Sequence, residues 1–524
     1  MFFRLILWGK DGVRTLADGW IMAHVDRSDK CLKEGFSNET YIKLQSQKIR
    51  DRIAAFGGKL YMEFGGKLFD DYHAARVLPG FQPDVKLCML QALADQAEIV
   101  IAINAADIEN NKYRGDLGIT YDREVMRLID CFRRIGLYVG SVVLTRYTGQ
   151  HAADVFKKTM ENLGVKVYRH YQINNYPSDV AHVVSEEGFG RNDYIETTRS
   201  LVVVTAPGPG SGKMATCLSQ LYHEHKRGVA AGYAKFETFP VWNLPLKHPV
   251  NLAYEAATAN LDDVNMPDSY HLEAYGTIAV NYNRDMEIFR VLEAIMARIF
   301  GKCPYKSPTD MGVNMAGYAI YDDEAVQEAA RQEIIRRYFR TACARCKGQA
   351  DPEEIRKIER LMDEAGITPE DRPTVTPARA VAERTGRPAV AIQLPDGHTV
   401  TGKTTELLGA SSAALLNALK YLADIPDEIK LISPEVIEPI MHLKTHLGSR
   451  NPRMHTDELL IALSICAVTD EYAARAMEEL DRMHGSEVHS TVILAHADNK
   501  LFSKLGAQVT SDPIYEEKKL YHGA

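Results

Sequence analysis

A chain of 524 residues, 45% hydrophobic and 25% charged, has the composition of an ordinary globular protein and is long enough for two to four domains. A net charge of −8 argues against a general nucleic-acid binder, which shows a basic face, and no apolar run reaches the length that spans a bilayer. Eight scattered cysteines read as reduced, mostly buried thiols, so the expected location is the cytoplasm, with neither nucleic acid nor membrane as partner.

Residues 1–34 have no clear period, and the apolar start MFFRLILWGK is too short for a secretory leader. They are expected to be an extension, or a start assigned too early. Helical spacing over Tyr41–Phe56 is followed by two copies of Phe-Gly-Gly-Lys-Leu, at 56–60 and 64–68, framing a short strand at Leu60–Phe64. Helices at Val85–Gln96, Asp122–Ile135 and Ala152–Leu163 then alternate with strands at Glu98–Asn104, Tyr138–Arg146, Val165–Ile173 and Leu201–Thr205. Such alternation predicts a parallel, helix-covered sheet for the N-terminal α/β domain, 35–239. Residues 240–346 are rich in Asn, Asp, Pro and Tyr and predict a helical, irregular subdomain with helices at Asp285–Ile299 and Glu324–Cys343. The charged, proline-rich span 347–388, with a helix at Pro352–Glu364, is the expected linker region.

A smaller α/β domain is expected over 389–524. A strand at Ala389–Leu394, the turn Pro395-Asp396-Gly397 and a strand at His398–Thr401 make a hairpin. Further helices are expected at Ser411–Leu422, Asp457–Cys466 and Glu471–Met483, with strands at Ile429–Ile432 and His489–Leu494.

The strongest chemical signal is TAPGPGSGKMATCLSQ, a strand, a glycine-rich turn and a helix with Lys213 at its start. That arrangement aims backbone N–H groups at an anion. Gly208, Gly210, Ser211, Gly212 and Lys213 are therefore the candidate phosphate-binding residues of a P-loop-like turn. Pro207 stands where a P-loop begins with glycine, and Met214 where it has the magnesium hydroxyl, so use of Mg²⁺ is left open. A dinucleotide fingerprint would need glycine at Lys213. A tight structural turn, its glycines serving positive φ and close packing, explains the same residues.

A formal phosphate-loop match at 397–404 falls on the hairpin instead, where bulky β-branched residues leave no glycine loop. Lys403, Ser411, Ser412, Arg450 and Arg453 are secondary anion candidates, near two expected helix starts; Ser411 or Ser412 equally reads as an N-cap. His442 and His446, the Asp262–Asp263–His271–Glu273 loop and the Cys343–Cys346 pair lack complete ligand sets, so no metal site is expected.

The runs GGKLYMEFGGKLFDDYHAARVLPGF, RGDLGITYD, TAPGPGSGKMATCLSQLYHEHKRG, KFETFPVWNLPLKHPVNLAYEAATANLDDVN, KSPTDMGVNMAG, LLGASSAALLNALK, LISPEVIEPI and HLGSRNPRMHTDE resemble an uncharacterised bacterial family. It is domain-of-unknown-function 1846, also called uncharacterised protein family 0371. The resemblance implies an N-terminal α/β domain, a distinct C-terminal domain and a cytoplasmic homo-oligomer, and supplies no reaction or catalytic residue. The residues themselves favour an enzyme, a transferase or hydrolase, taking an anionic small molecule such as a nucleotide. The alternatives are a non-catalytic oligomeric binding or regulatory protein, and a dinucleotide-dependent oxidoreductase.

Overall fold

The computed structural model describes residues 33–516 except Lys67, Asp70, Asp116 and Arg450, so the expected extension 1–34 falls almost wholly outside the described residues. Apolar runs of the N-terminal part become seven strands: β1 (Leu60–Phe64), β2 (Ala97–Asn104), β3 (Tyr138–Tyr147), β4 (Lys166–Tyr171), β5 (Leu201–Thr205), β6 (Gly232–Phe236) and β7 (Gly312–Val313). They lie in the order β7-β6-β1-β5-β2-β3-β4, each parallel to its neighbours.

β1, β2 and β5 are buried along their whole length, which is why they are mostly apolar rather than alternating, with Glu63, Glu98, Asn104 and Thr205 as buried polar exceptions. Successive side chains point to opposite faces and so serve two cores. Met62, Ile101 and Val203 enter one core, while Tyr61, Val100 and Val202 enter the other. The second core also receives Cys217, Leu218 and Leu221 from a helix beginning at Lys213.

The chain passes from β1 outward through β2, β3 and β4, returns at β5 beside β1, and then leaves on the other side through β6 and β7. The reversal opens a crevice at the C-terminal ends of β1, β5 and β6. In open parallel sheets that is where ligands bind.

The helices used below are α1 (Asn38–Ala55), α2 (Lys213–Lys226), α3 (Asn283–Phe300) and α4 (Asp323–Cys346), followed by α5 (Pro352–Ala365) and α6 (Val375–Thr385). Asp351 starts α5 with a capping box. The span 347–388, expected as the linker, is therefore largely helical, and Ile358, Leu361, Met362 and Val375 belong to the main core.

The smaller C-terminal domain holds a mixed sheet of β8 (Ala389–Gln393), β9 (Thr399–Lys403), β10 (Glu487–Ser490) and β11 (Gln508–Ser511) in the order β9-β8-β10-β11. β8 is antiparallel to β9 and β10, and β10 is parallel to β11. Helices α7 (Ala410–Leu422), α8 (Thr456–Cys466) and α9 (His496–Lys504) surround it.

Several boundaries differ from expectation. Ile429–Ile432 is not a strand: Leu431 and Ile432 are buried in the core of the C-terminal domain, but no strand among the described residues pairs with them. The strand expected at His489–Leu494 stops at Ser490, and the helix Glu471–Glu478 tightens into a 3₁₀ turn to Met483. β6 and β7 were not expected at all.

Buried charges join the two domains. Glu333 of α4 faces His73 at 3.5 Å, Arg76 at 2.9 Å and Arg336 at 2.8 Å. Arg336 continues to Glu487 of β10 at 2.8 Å, and Glu487 meets the fully buried Arg372 at 2.6 Å.

Candidate functional site

Between β5 and α2 the chain makes the glycine-rich turn. Gly210 and Gly212 have φ of 74° and 83°, a region that costs an L side chain strain. Gly212 caps α2 and lies under Thr145, whose Cβ and Oγ1 would each be 3.0 Å from an added Cβ. Gly208 packs against Tyr121, whose hydroxyl would be 2.2 Å from one. Packing therefore accounts for Gly208 and Gly212, but around Gly210 the space is open. The Ser211 hydroxyl donates to the Gly208 carbonyl at 2.9 Å, and the Thr145 hydroxyl donates to the Ser211 carbonyl at 2.7 Å. The turn is thereby fixed from inside.

Its amides are not consumed. Among the described residues no acceptor takes the N–H of Gly210, Ser211, Gly212, Lys213, Met214 or Ala215. Lys213 is half-buried, and among the described residues it has no carboxylate partner. Thr216 cannot stand in for the absent magnesium hydroxyl at 214, because it is buried and donates to the Gly212 carbonyl at 3.0 Å.

Pro209, Gly210, Lys213 and Met214 form one wall of a cleft of about 670 Å³. Gly65 and Gly66 after β1 and Glu237, Thr238 and Phe239 after β6 form others. Of the five turn residues expected from sequence, Gly210 and Lys213 line the cleft; Gly208, Ser211 and Gly212 support it from behind.

Opposite the turn lies a group that the sequence did not reveal. Lys235 Nζ meets Glu237 Oε1 at 2.6 Å and also contacts Asp285 and the Tyr282 hydroxyl. Tyr282 donates to Glu237 at 2.9 Å. Burial lifts the Glu237 carboxyl to about 7, Lys235 opposing the rise and Asp285 adding to it. Burial alone would discharge Lys235, but Asp285 and Glu237 outweigh it and hold the ammonium charged. Nearby, burial of Asp71 is outweighed by Lys86, 2.6 Å away, which keeps that carboxyl below its usual range. Phe239 and Tyr254 stack on each other, their rings 5.6 Å apart, as an apolar side to the cleft.

The secondary candidates do not join this cleft. Ser411 and Arg453 line a separate pocket in the C-terminal domain. Ser412 is buried and donates to the Met454 carbonyl at 2.8 Å. Lys403 is exposed at the end of β9, and Arg450 lies outside the described residues. Gly409, not a serine, is the N-cap of α7. The formal match at 397–404 is a hairpin turn and β9, and Gly402 lets β9 pack against Ala414 of α7. Among the described residues no three His, Cys, Asp or Glu are grouped as a metal would need, and no helix is long and apolar enough to cross a membrane.

Two family models match in succession. Domain of unknown function DUF1846, N-terminal, covers residues 34–366, and its C-terminal counterpart covers 370–521. The chain belongs to the DUF1846 family. A UPF0371 protein of Streptococcus thermophilus is 60% identical over 491 residues, 93% of this chain and 99% of that protein. One from Streptococcus pneumoniae is 59% identical over 490 residues, with the same coverage. The two DUF1846 models adjoin between residues 366 and 370, inside the span 347–388.

Proposed function

We propose that the cleft of this DUF1846 protein binds a phosphorylated small molecule, and that the protein is an enzyme acting on it. One observation carries the reading: a run of turn amides and a lysine, without partners among the described residues, border the same cleft, at the strand ends where the sheet reverses. The amides of Gly210–Ala215 surround the phosphate and Lys213 adds a point charge. The cleft is not uniformly basic. Glu63, Glu237, Asp285 and Glu287 lie in it with Lys235 and Arg284, which suits a ligand whose far end offers hydroxyl or amino groups. A nucleotide or sugar phosphate has that character. Glu237, raised toward neutrality and linked to Tyr282 and Lys235, is placed to take or give a proton there.

The competing reading, a purely structural turn, draws on the packing of Gly208 and Gly212. Thermal unfolding with a panel of nucleotides, sugar phosphates and NAD, with and without Mg²⁺, separates the two. A ligand at about 100 times its Kd stabilises by about 2.7 kcal/mol, and Lys213→Ala removes the effect. If no phosphate compound stabilises the wild type, or Lys213→Ala responds equally, the cleft does not bind phosphate in this way. Stabilisation by NAD alone favours a dinucleotide enzyme instead.

A further inference from the structure

The C-terminal domain has a pocket of its own, sharing no lining residue with the cleft. Its volume is about 60 Å³, room for a few waters or one phosphate-sized group. Three helices begin on it: Gly409, His455 and Ala495 cap α7, α8 and α9, and all three residues line the pocket. The helices run 13, 11 and 9 residues. Each brings the positive end of a dipole to its start, and α7 and α9 also bring orphan N–H groups, whereas the Thr456 N–H of α8 is given to Asp498.

Converging helix starts would not by themselves make a site. The second observation is Ser411, which lines the pocket, is only 3% exposed, and has no hydrogen-bond partner for its hydroxyl among the described residues. Thr404, 4% exposed on the same pocket, is in the same position. The neighbouring Ser412 shows the contrast, since its hydroxyl is committed to the Met454 carbonyl.

The rest of the wall is mixed in charge: Asp498 and Glu516 also line the pocket, and each is met by a donor. Asp498 accepts from the Thr456 N–H and hydroxyl, both at 2.9 Å, and faces His455 Nδ1 at 3.3 Å. Its charge is thus held within the wall, against the imidazole of His455, which itself lines the pocket. Arg453 lies on the same pocket and gives one Nη to Glu516 at 3.1 Å, which leaves further guanidinium donors.

We propose that this pocket binds a tetrahedral oxyanion, a phosphate either free or as the terminal phosphoryl group of a larger molecule, held by the Ser411 hydroxyl, the first amides of α7 and α9, His455 and Arg453. It is independent of the cleft. The test uses the full chain carrying Lys213→Ala, titrated calorimetrically with inorganic phosphate and with ethyl phosphate. One saturable site is expected to remain. Adding Ser411→Ala should weaken it at least tenfold, and Arg453→Gln should do the same. Equal affinity for the two ligands supports a phosphoryl end group, and preference for inorganic phosphate supports the free ion. The proposal falls if neither ligand saturates the Lys213→Ala protein. It also falls if affinity is unmoved by Ser411→Ala with Arg453→Gln in protein whose melting and circular dichroism match the parent. Loss of phosphate stabilisation at the cleft alone would leave it standing.

Discussion

In the N-terminal domain β1, β5 and β6 all run the same way, so the loops after them reach one edge and enclose about 670 Å³. The C-terminal sheet is mixed and has no such common edge; its pocket of about 60 Å³ is gathered by helix starts instead. The difference governs the chemistry available. The large cleft places buried acids and lysines across from a set of backbone donors, which suits a substrate with two unlike ends. The small pocket has donors on several sides and room for a single compact group. Parallel strands build clefts for molecules, and converging helices build seats for ions.

The largest expected effect tests the charged side of the cleft. Lys235→Met strands Glu237 and Asp285 without their cation, and should cost about 3–5 kcal/mol at pH 8 in urea unfolding. A loss under about 1 kcal/mol would mean that the cleft carboxylates do not depend on Lys235, and would erase the contrast between the two regions. Strain in the turn comes next. Gly212→Ala combines positive φ with contact on Thr145 and should destabilise by about 1–3 kcal/mol. Gly210→Ala meets only the backbone cost, about 1 kcal/mol, because the space beside it is open. Equal losses at the two glycines would show that Thr145 does not hold the turn.

pH gives a smaller and more specific signature. The Glu237 carboxyl rises on folding from its usual 4.5 to about 7, so the folded state binds more protons in that interval. Its contribution to stability should therefore fall as pH rises from about 4.5 to about 7, and Glu237→Gln should flatten that slope in melting curves. A slope unchanged by the substitution would place its origin elsewhere. In the C-terminal pocket the sign is the same, but a cation rather than a neutral acid is the favoured form. The Asp498 hydrogen bond raises His455 above its ordinary 6.5, outweighing its burial. The stabilisation is full below that ordinary value and is lost as pH rises through the folded one. NMR titration should find His455 above 6.5 in the wild type and lower in Asp498→Asn. No difference between the two would remove Asp498 as the anchor of the imidazole.

The parallel sheet was legible because β1, β2 and β5 are buried on both faces and so are mostly apolar. The turn was legible because glycine at 210 and 212 answers a backbone requirement. Lys235 and Glu237 were not, since β6 is half aromatic and runs directly into a polar, proline-rich stretch. The alternation was present: residues two apart share a strand face, and these two are brought together beyond β1. Asp285 could not be assigned in advance, because the turn of α3 that faces the sheet is set by packing rather than by sequence. Ile429–Ile432 misled for the converse reason, as burial requires apolar residues without requiring a strand. Ser411 was noticed for its place near a helix start, but which of two adjacent serines is committed elsewhere depends on Met454.

The route of charges from Arg76 through Glu333, Arg336 and Glu487 to Arg372 crosses the junction of the two DUF1846 family models. A polypeptide cut there would leave Arg336 with Glu333 in one fragment and Glu487 with Arg372 in the other, the ion pair between them broken at a freshly opened surface. Neither fragment should behave as a well-mannered module in isolation, and mixing the two should restore solubility to both.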